Sequence, residues 1–224
     1  MLLLLWTWYS AVIYRSQLRL IELKVYLVRH GKTIANENWL YCGQTDVPLT
    51  EAGAEELSEK RARGGYPDIE GIQVYTSGLL RTEQTLEILF GAVPHKVLPE
   101  MMEINFGDFE MRSYDEMKED PEYIAWCEGD NEANIPPGEG AESGYMMMDR
   151  VFRCFDSLLE KGRDCLIVSH GGPITSLFMR YVTDTGKNWY ELHPGNGEGF
   201  CLKFSKKGKF LGWKPIPEIY KDKT

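Results

Sequence analysis

Two apolar runs in this chain stop in the same way. Residues 25–31 read "VYLVRHG" and residues 166–172 read "LIVSHGG". Short β-branched and aromatic runs bounded by glycine are the pattern of buried strands. A strand of that kind ending in histidine sets a polar, titratable group at the lip of a core, where the fold must give it a partner or a ligand. The chain has four histidines, and two of them hold these positions.

The residues between the two runs fill in a regular alternation. Strand one is read at 24–28. Thr50 is a candidate N-cap and Gly64-Gly65 a stop, which predicts a helix between them. Residues 72–77 read as strand two. Leu79, Leu80, Leu86, Ile88, Leu89 and Phe90 then recur at helical spacing up to Gly91. "HKVLP" at 95–99 is a short third strand. From 105 to about 143 the pattern breaks into acidic, glycine and proline-rich pieces, read as an insertion over the core. "YMMMDRVFRCFDSLLEKG" predicts a helix ending at Gly162, with Met146, Met147 and Met148 in the core. "CLIVS" is strand four, Pro173 opens a further helix, and 199–213 close the chain as a hairpin. Strands alternating with helices predict an α/β three-layer sandwich: a mostly parallel central sheet flanked by helices, with the helical and loop insertion over the C-terminal strand ends. Ligands of such sheets bind beyond the carboxyl ends of the strands. His30, Ser77 and His170 all fall there.

At 224 residues the chain is long enough for one substantial core. Its net charge of −9 argues against nucleic acid or an anionic membrane as the main partner. Five cysteines, an odd number with no C-x-x-C, fit free thiols in a reducing, cytoplasmic setting. The first fourteen residues, "MLLLLWTWYSAVIY", are apolar. As a helix they would span roughly 21 Å, short of the ~30 Å hydrocarbon core of a bilayer. They lack the basic start of a secretory signal. Residues 1–22 are therefore read as an extension outside a single catalytic domain at 23–224. Either they derive from an upstream start or residues 1–14 associate weakly with a membrane.

Two histidines and two arginines at one rim suit a phosphate monoester, which carries about two negative charges near neutral pH. Arg29 and Arg81 offer forked guanidinium groups matched to phosphate geometry. His170 adds a donor once protonated, a charge that the bound anion favours. The cation at Arg29 helps keep His30 neutral, and a neutral imidazole nitrogen can attack phosphorus. Gly31 is read as allowing close approach to ring and phosphate. The leaving oxygen needs a proton, which calls for a carboxylic acid of raised pKa. Glu103, flanked by Met101, Met102 and Ile104, is the candidate, since burial among them would raise its pKa. No Asp-x-Asp or His-x-x-x-His spacing accompanies these residues, so neither metal nor cofactor is expected.

"LVRHGKTIAN", "YTSGLLRTEQT", "EINFGDFE" and "IVSHGGPI" resemble, in order and spacing, the four signatures of the histidine phosphatase (phosphoglycerate mutase-like) superfamily. The resemblance spans about residues 24–215. It implies His30 as a nucleophile forming a phosphohistidine, with Arg29, Arg81, His170 and Gly171 around the phosphoryl group. It also implies Glu103 as proton donor and Asn36 beside the pocket. "GQTDVPLTEAG" and "EINFGDFE" look more like the phosphatase branch, in particular α-ribazole phosphatases, than the mutases, which usually carry E-R-x-Y-G after strand three. Two departures fall in the insertion: Met111 stands where glycine is usual, and "PPGEGAES" is longer than the usual turn. The implied partner is a small phosphorylated metabolite, hydrolysed without a metal. A cofactor-dependent phosphoglycerate mutase and a catalytically weak phospho-ligand adaptor are the rival readings. Outside the motifs, His95 is read as exposed, and His193, in "HPGNGE", as a turn residue in preference to one that its loop carries near the site.

Overall fold

The computed structural model describes residues 22–130, 132–183 and 185–218. The apolar residues 1–14 and the rest of the N-terminal extension up to 21 lie outside the described residues. Among the described residues no helix is long and apolar enough to cross a membrane.

Six strands form one sheet: β1 (Glu22–Arg29), β2 (Gln73–Thr76), β3 (Lys96–Val97), β4 (Cys165–Ser169), β5 (Gly199–Ser205) and β6 (Phe210–Ile216), in the order β3-β2-β4-β1-β5-β6. The first four in that order run parallel, and β5 and β6 turn back as the expected hairpin. The central β4 is buried along its whole length, as a strand covered by helices on both faces must be. β3, at one edge of the sheet, is two exposed residues long. β1 begins at Glu22, whose backbone pairs with Ser205.

The helices are α1 (Ile34–Glu37), α2 (Glu51–Arg63), α3 (Leu80–Phe90), α4 (Tyr114–Met117), α5 (Pro121–Cys127), α6 (Gly144–Lys161), α7 (Gly171–Tyr181) and α8 (Trp189–Leu192). Their ends follow local chemistry. The Thr50 hydroxyl accepts from Gly53 N–H at 3.0 Å to start α2. Gly162 ends α6 in a left-handed conformation, φ 62°. One sheet face buries Leu23, Val25, Leu27 and Ile167 against Val151, Phe155 and Leu158 of α6 and Ile174, Leu177 and Phe178 of α7. The other packs Val28, Val74, Leu166 and Val168 against Leu57 of α2 and Leu86 and Leu89 of α3. These are the three layers. Of the methionine run, Met147 is core and Met148 packs half-buried against it. Met146 turns to solvent, because consecutive helical residues point about 100° apart and cannot share a face.

Between Asn105 and Ser143 the chain leaves the sheet and builds a small core of its own from Phe109, Met117 and Tyr123, packed on Tyr41, Phe106 and Trp126. The Tyr41 and Tyr123 hydroxyls lie 2.7 Å apart. Met111 adopts φ 59°, the left-handed region, which accounts for the glycine usual at this position. A side chain there costs roughly 1–2 kcal/mol, and the 2.7 Å bond from Met111 N–H to the Tyr41 carbonyl helps hold it.

The "PPGEGAES" turn is anchored by Glu142. Its carboxylate receives Arg150 Nε and Nη2, both at 2.7 Å, and the Asn105 N–H at 3.1 Å. The same guanidinium donates to the carbonyls of Glu100, Met102 and Glu103 at 2.7–2.8 Å. One largely buried arginine thus joins α6 to the backbone that carries Glu103. Replacing it by a methionine leaves a mostly buried carboxylate without its cation. Arg150→Met should therefore lower the unfolding free energy by about 2–3 kcal/mol, read from the urea midpoint. An unchanged midpoint would mean that solvent already screens the pair.

Candidate active site

Register brings the strand ends together. Val28 pairs with Val168 and Arg29 with Ser169, so His30 and His170 leave the sheet side by side. Thr76 is level with Val168, which places Ser77 at the same edge. The rings of His30 and His170 lie 5.2 Å apart between centroids. Arg81, in the first turn of α3, is 1% exposed, and His170 is fully buried.

His30 Nδ1 lies 2.7 Å from the Gly31 carbonyl. A carbonyl can only accept, so Nδ1 carries the proton and Nε2 keeps its lone pair. Burial, then the charges of Arg81 and Arg29, hold the His30 pKa well below the ordinary imidazole value. The ring is neutral, as anticipated, and its free nitrogen is nucleophilic.

His170 is buried in the same cluster. Burial and the charges of Arg81, His30 and Arg29 also push its pKa well below the usual range, so without a bound anion it too is neutral. Its Nε2 lies 2.8 Å from Ser77 Oγ.

Arg81 donates Nη1 to the Thr45 carbonyl at 3.0 Å and Nη2 to the Gly43 carbonyl. Arg29 donates Nη1 to the Pro194 carbonyl at 2.8 Å. Three buried side-chain nitrogens keep no partner among the described residues: Arg29 Nε, Arg81 Nε and His170 Nδ1. Leaving a buried polar group unpaired costs about 1–3 kcal/mol, and folds rarely carry three such groups in one place. The three residues belong to one mutually interacting cluster. Three such nitrogens in one cluster call for acceptors that the described residues do not supply.

Glu103 is half-buried. Its Oε2 accepts from the Gly172 N–H at 2.9 Å and its Oε1 from the Ile104 N–H at 3.1 Å. The two glycines after His170 make room for site side chains. A Cβ on Gly172 would lie 2.2 Å from Glu103 Oε1, and one on Gly171 would lie 1.8 Å from His193 Nε2. Gly31 serves packing in the same way: a Cβ there would meet Leu57 Cδ1 at 2.5 Å. Asn36 has two faces. Its Oδ1 caps α1 by accepting from the Thr33 N–H at 3.0 Å, while the residue also lines the cavity.

That cavity, of about 580 Å³, is bordered by Arg29 and Gly172, chain neighbours of His30 and of His170-Gly171. Arg29, Asn36 and Glu103 edge it, and Tyr41, Phe106, Trp126, Met147, Met148 and Tyr190 form much of its wall. The insertion supplies Phe106 and Trp126. His193 lines it too, with Nδ1 3.2 Å from Thr175 Oγ1 and a pKa lowered to about 4 by burial and by Arg29. The "HPGNGE" segment is therefore part of the site and not a peripheral turn. Pro194 takes Arg29, Asn196 donates to the His30 carbonyl at 3.0 Å, and the Gly197 N–H bonds the Arg29 carbonyl at 3.0 Å. Sequence pattern alone does not settle this placement, because the segment's partners lie about 165 residues away in the chain.

The fold and this cluster define a class. The chain belongs to the histidine phosphatase superfamily (branch 1), whose family model matches residues 25–214, and it is a phosphoric monoester hydrolase. It is 35% identical over 168 residues to an adenosylcobalamin/α-ribazole phosphatase of Salmonella typhimurium, covering 72% of this chain and 80% of the relative. It is 36% identical over 159 residues to a Yersinia enterocolitica protein named "Probable phosphoglycerate mutase GpmB", covering 66% and 70%. The crystal structure of an α-ribazole phosphatase from Shigella flexneri superposes with a TM-score of 0.69 at 29% identity, over 85% of this chain and 95% of that one.

Proposed function

We propose that the protein hydrolyses a small phosphate monoester through a phosphohistidine on His30. The observation that carries this reading is the trio of unpartnered nitrogens on Arg29, Arg81 and His170 beside the free Nε2 of His30. The His30 Nε2 lone pair attacks phosphorus, and the bond from phosphorus to the leaving oxygen breaks. The guanidinium groups and His170 hold the non-bridging oxygens, where charge must be neutralised. Glu103, as the general acid, gives a proton to the leaving alcohol. In the second half a water attacks phosphorus as the Glu103 carboxylate takes its proton, the N–P bond breaks, and the electron pair returns to Nε2.

The cavity favours hydrolysis over the mutase reading. A phosphoglycerate brings a carboxylate as well as phosphate. Yet Arg29, already engaged with the phosphoryl site, is the one arginine or lysine in the described cavity wall, which also holds Glu103 and Glu132. Aromatic and methionine side chains suit an alcohol with an apolar body, and α-ribazole 5′-phosphate is the named candidate. A reducing, cytoplasmic location fits the five free thiols. The test is release of inorganic phosphate from p-nitrophenyl phosphate and from a panel of metabolite phosphates compared by kcat/KM. An adaptor releases none from any of them, and a mutase releases little but transfers phosphate between glycerates.

The donor set also makes a metal unnecessary, because guanidinium and imidazole groups supply the neutralising charge. Activity should be unchanged after dialysis against excess EDTA. Loss of activity that magnesium restores would overturn the mechanism.

A further inference from the structure

Ser77 is fully buried, and its surroundings leave its hydroxyl two destinations. His170 Nε2 lies 2.8 Å from Ser77 Oγ on one side, and Thr82 Oγ1 lies 3.1 Å away on the other. The Thr82 hydroxyl spends its own proton on the Leu79 carbonyl at 2.7 Å, so toward Ser77 it offers an acceptor. The Leu79 N–H approaches Ser77 Oγ at 3.4 Å and leaves the Ser77 proton uncommitted. His170 Nδ1, on the far side of the ring, is buried and without a partner.

We propose that Ser77 and Thr82 form a two-position hydroxyl relay that lets His170 present an Nδ1–H donor to the phosphoryl group whether its ring is neutral or protonated. The proposal rests on the phosphoryl-binding reading of the site. In the first position the Ser77 hydroxyl donates to His170 Nε2, so the neutral ring must carry its one proton on Nδ1. In the second position His170 has gained a proton at Nε2, from the substrate monoanion or from water. Nε2–H then donates to Ser77 Oγ, and the Ser77 proton swings to Thr82 Oγ1. The bond between His170 Nε2 and Ser77 Oγ is kept in both positions with its direction reversed, the Ser77–Thr82 bond forms only in the second, and Nδ1 carries a proton in both.

The need for such a device follows from what surrounds the ring. Arg29 and His30 face His170 from the end of β1, Arg81 from α3 and Arg150 from α6. Glu103 is held at Gly172, two residues along. The cations and burial disfavour a protonated ring; a bound phosphate anion offsets part of that, so the ring gains its second proton only toward acid pH. Without the relay, a neutral His170 could place its proton on Nε2 and turn a bare lone pair toward a phosphate oxygen. Ser77 is thus a positioning residue acting through His170.

The two hydroxyls make opposite predictions, best read as the ratio of variant to wild-type kcat/KM across pH. That ratio cancels the titration of the substrate itself. Ser77→Ala should lose about tenfold or more at pH 8, the scale of a hydrogen bond to a charged group, and recover toward pH 5.5, where protonation restores the Nδ1–H. Ser77→Thr should retain most of the activity at both pH values. Thr82→Val, of similar shape, should match wild type at pH 8 and fall several-fold at pH 5.5, because the Ser77 proton then has no second acceptor. A pH-independent loss in Ser77→Ala, or a flat ratio in Thr82→Val, would overturn the relay. If Ser77→Ala does not fold, Thr82→Val alone decides. A measurement free of turnover separates this idea from the phosphatase reading. In ¹⁵N-labelled protein with inorganic phosphate at pH 8, the His170 resonances should report Nδ1 as the protonated nitrogen. Protonation at Nε2 alone sinks the relay even in an active enzyme. Conversely, an Nδ1–H signal supports it even if no monoester is turned over.

Discussion

His30→Ala should abolish turnover, with kcat falling by about 10⁴-fold or more, the scale on which removal of a covalent nucleophile acts. The expectation rests on one bond. The Gly31 carbonyl at 2.7 Å fixes the proton on Nδ1 and leaves Nε2 as a lone pair in a pocket that also disfavours protonation. Stopping the wild-type reaction with alkali and ³²P-labelled substrate should trap label that is stable to base and released by acid, as a phosphoramidate is. The variant should trap none while still binding inorganic phosphate, since Arg29, Arg81 and His170 are untouched. Retention of more than a few per cent of activity by His30→Ala would show that water attacks phosphorus directly.

Glu103→Gln should separate substrates by leaving group. General acid catalysis is worth typically 10²–10⁴-fold, and it matters most when the leaving oxygen is a poor one. An alkyl phosphate should therefore lose about 10²-fold or more in kcat/KM. p-Nitrophenyl phosphate should lose far less, because nitrophenolate departs without a proton. The amide keeps the shape and one acceptor oxygen for the Gly172 N–H, now 2.9 Å from Oε2, so the fold of the pocket should survive. Equal losses on both substrates would demote Glu103 to shaping the pocket. No loss on either would place the acid elsewhere. Glu110 is a poor replacement, since its carboxylate is committed to the N–H groups of Gly43, Gln44, Thr45 and Phe106 at 3.0–3.2 Å.

Much of the fold was legible because its signals are local. Thr50, Gly64, Gly91 and Gly162 mark helix ends through caps that involve neighbouring residues. The all-apolar "CLIVS" could only be a strand with both faces covered. The candidate site was legible for a related reason: Arg29, His30, Ser77 and His170 each stand at the end of such a strand, where an α/β sheet opens its ligand crevice. Less legible were positions whose role depends on a distant partner. His193 and Asn196 look like turn residues until α7 and the end of β1 pack against them. Met146 and Met147 look alike until helix phase sends one outward and one inward.

The residues themselves therefore determined which elements form, where they stop, and which chemical groups stand at their ends. Tertiary structure decided how those groups behave. The pairing of Arg29 with Ser169 brings two histidines within 5.2 Å, and a one-residue slip would turn the strand's side chains to the opposite faces of the sheet. Burial beside Arg29 and Arg81 keeps both rings neutral in the empty site, although each imidazole on its own would titrate near neutral pH. Arg150 and Glu142 fasten the segment that carries Glu103, and the insertion adds the aromatic wall. Local propensity acts over a turn or two of chain. Register, burial and electrostatic environment are set by residues more than a hundred positions apart, and they exist only once the core has closed.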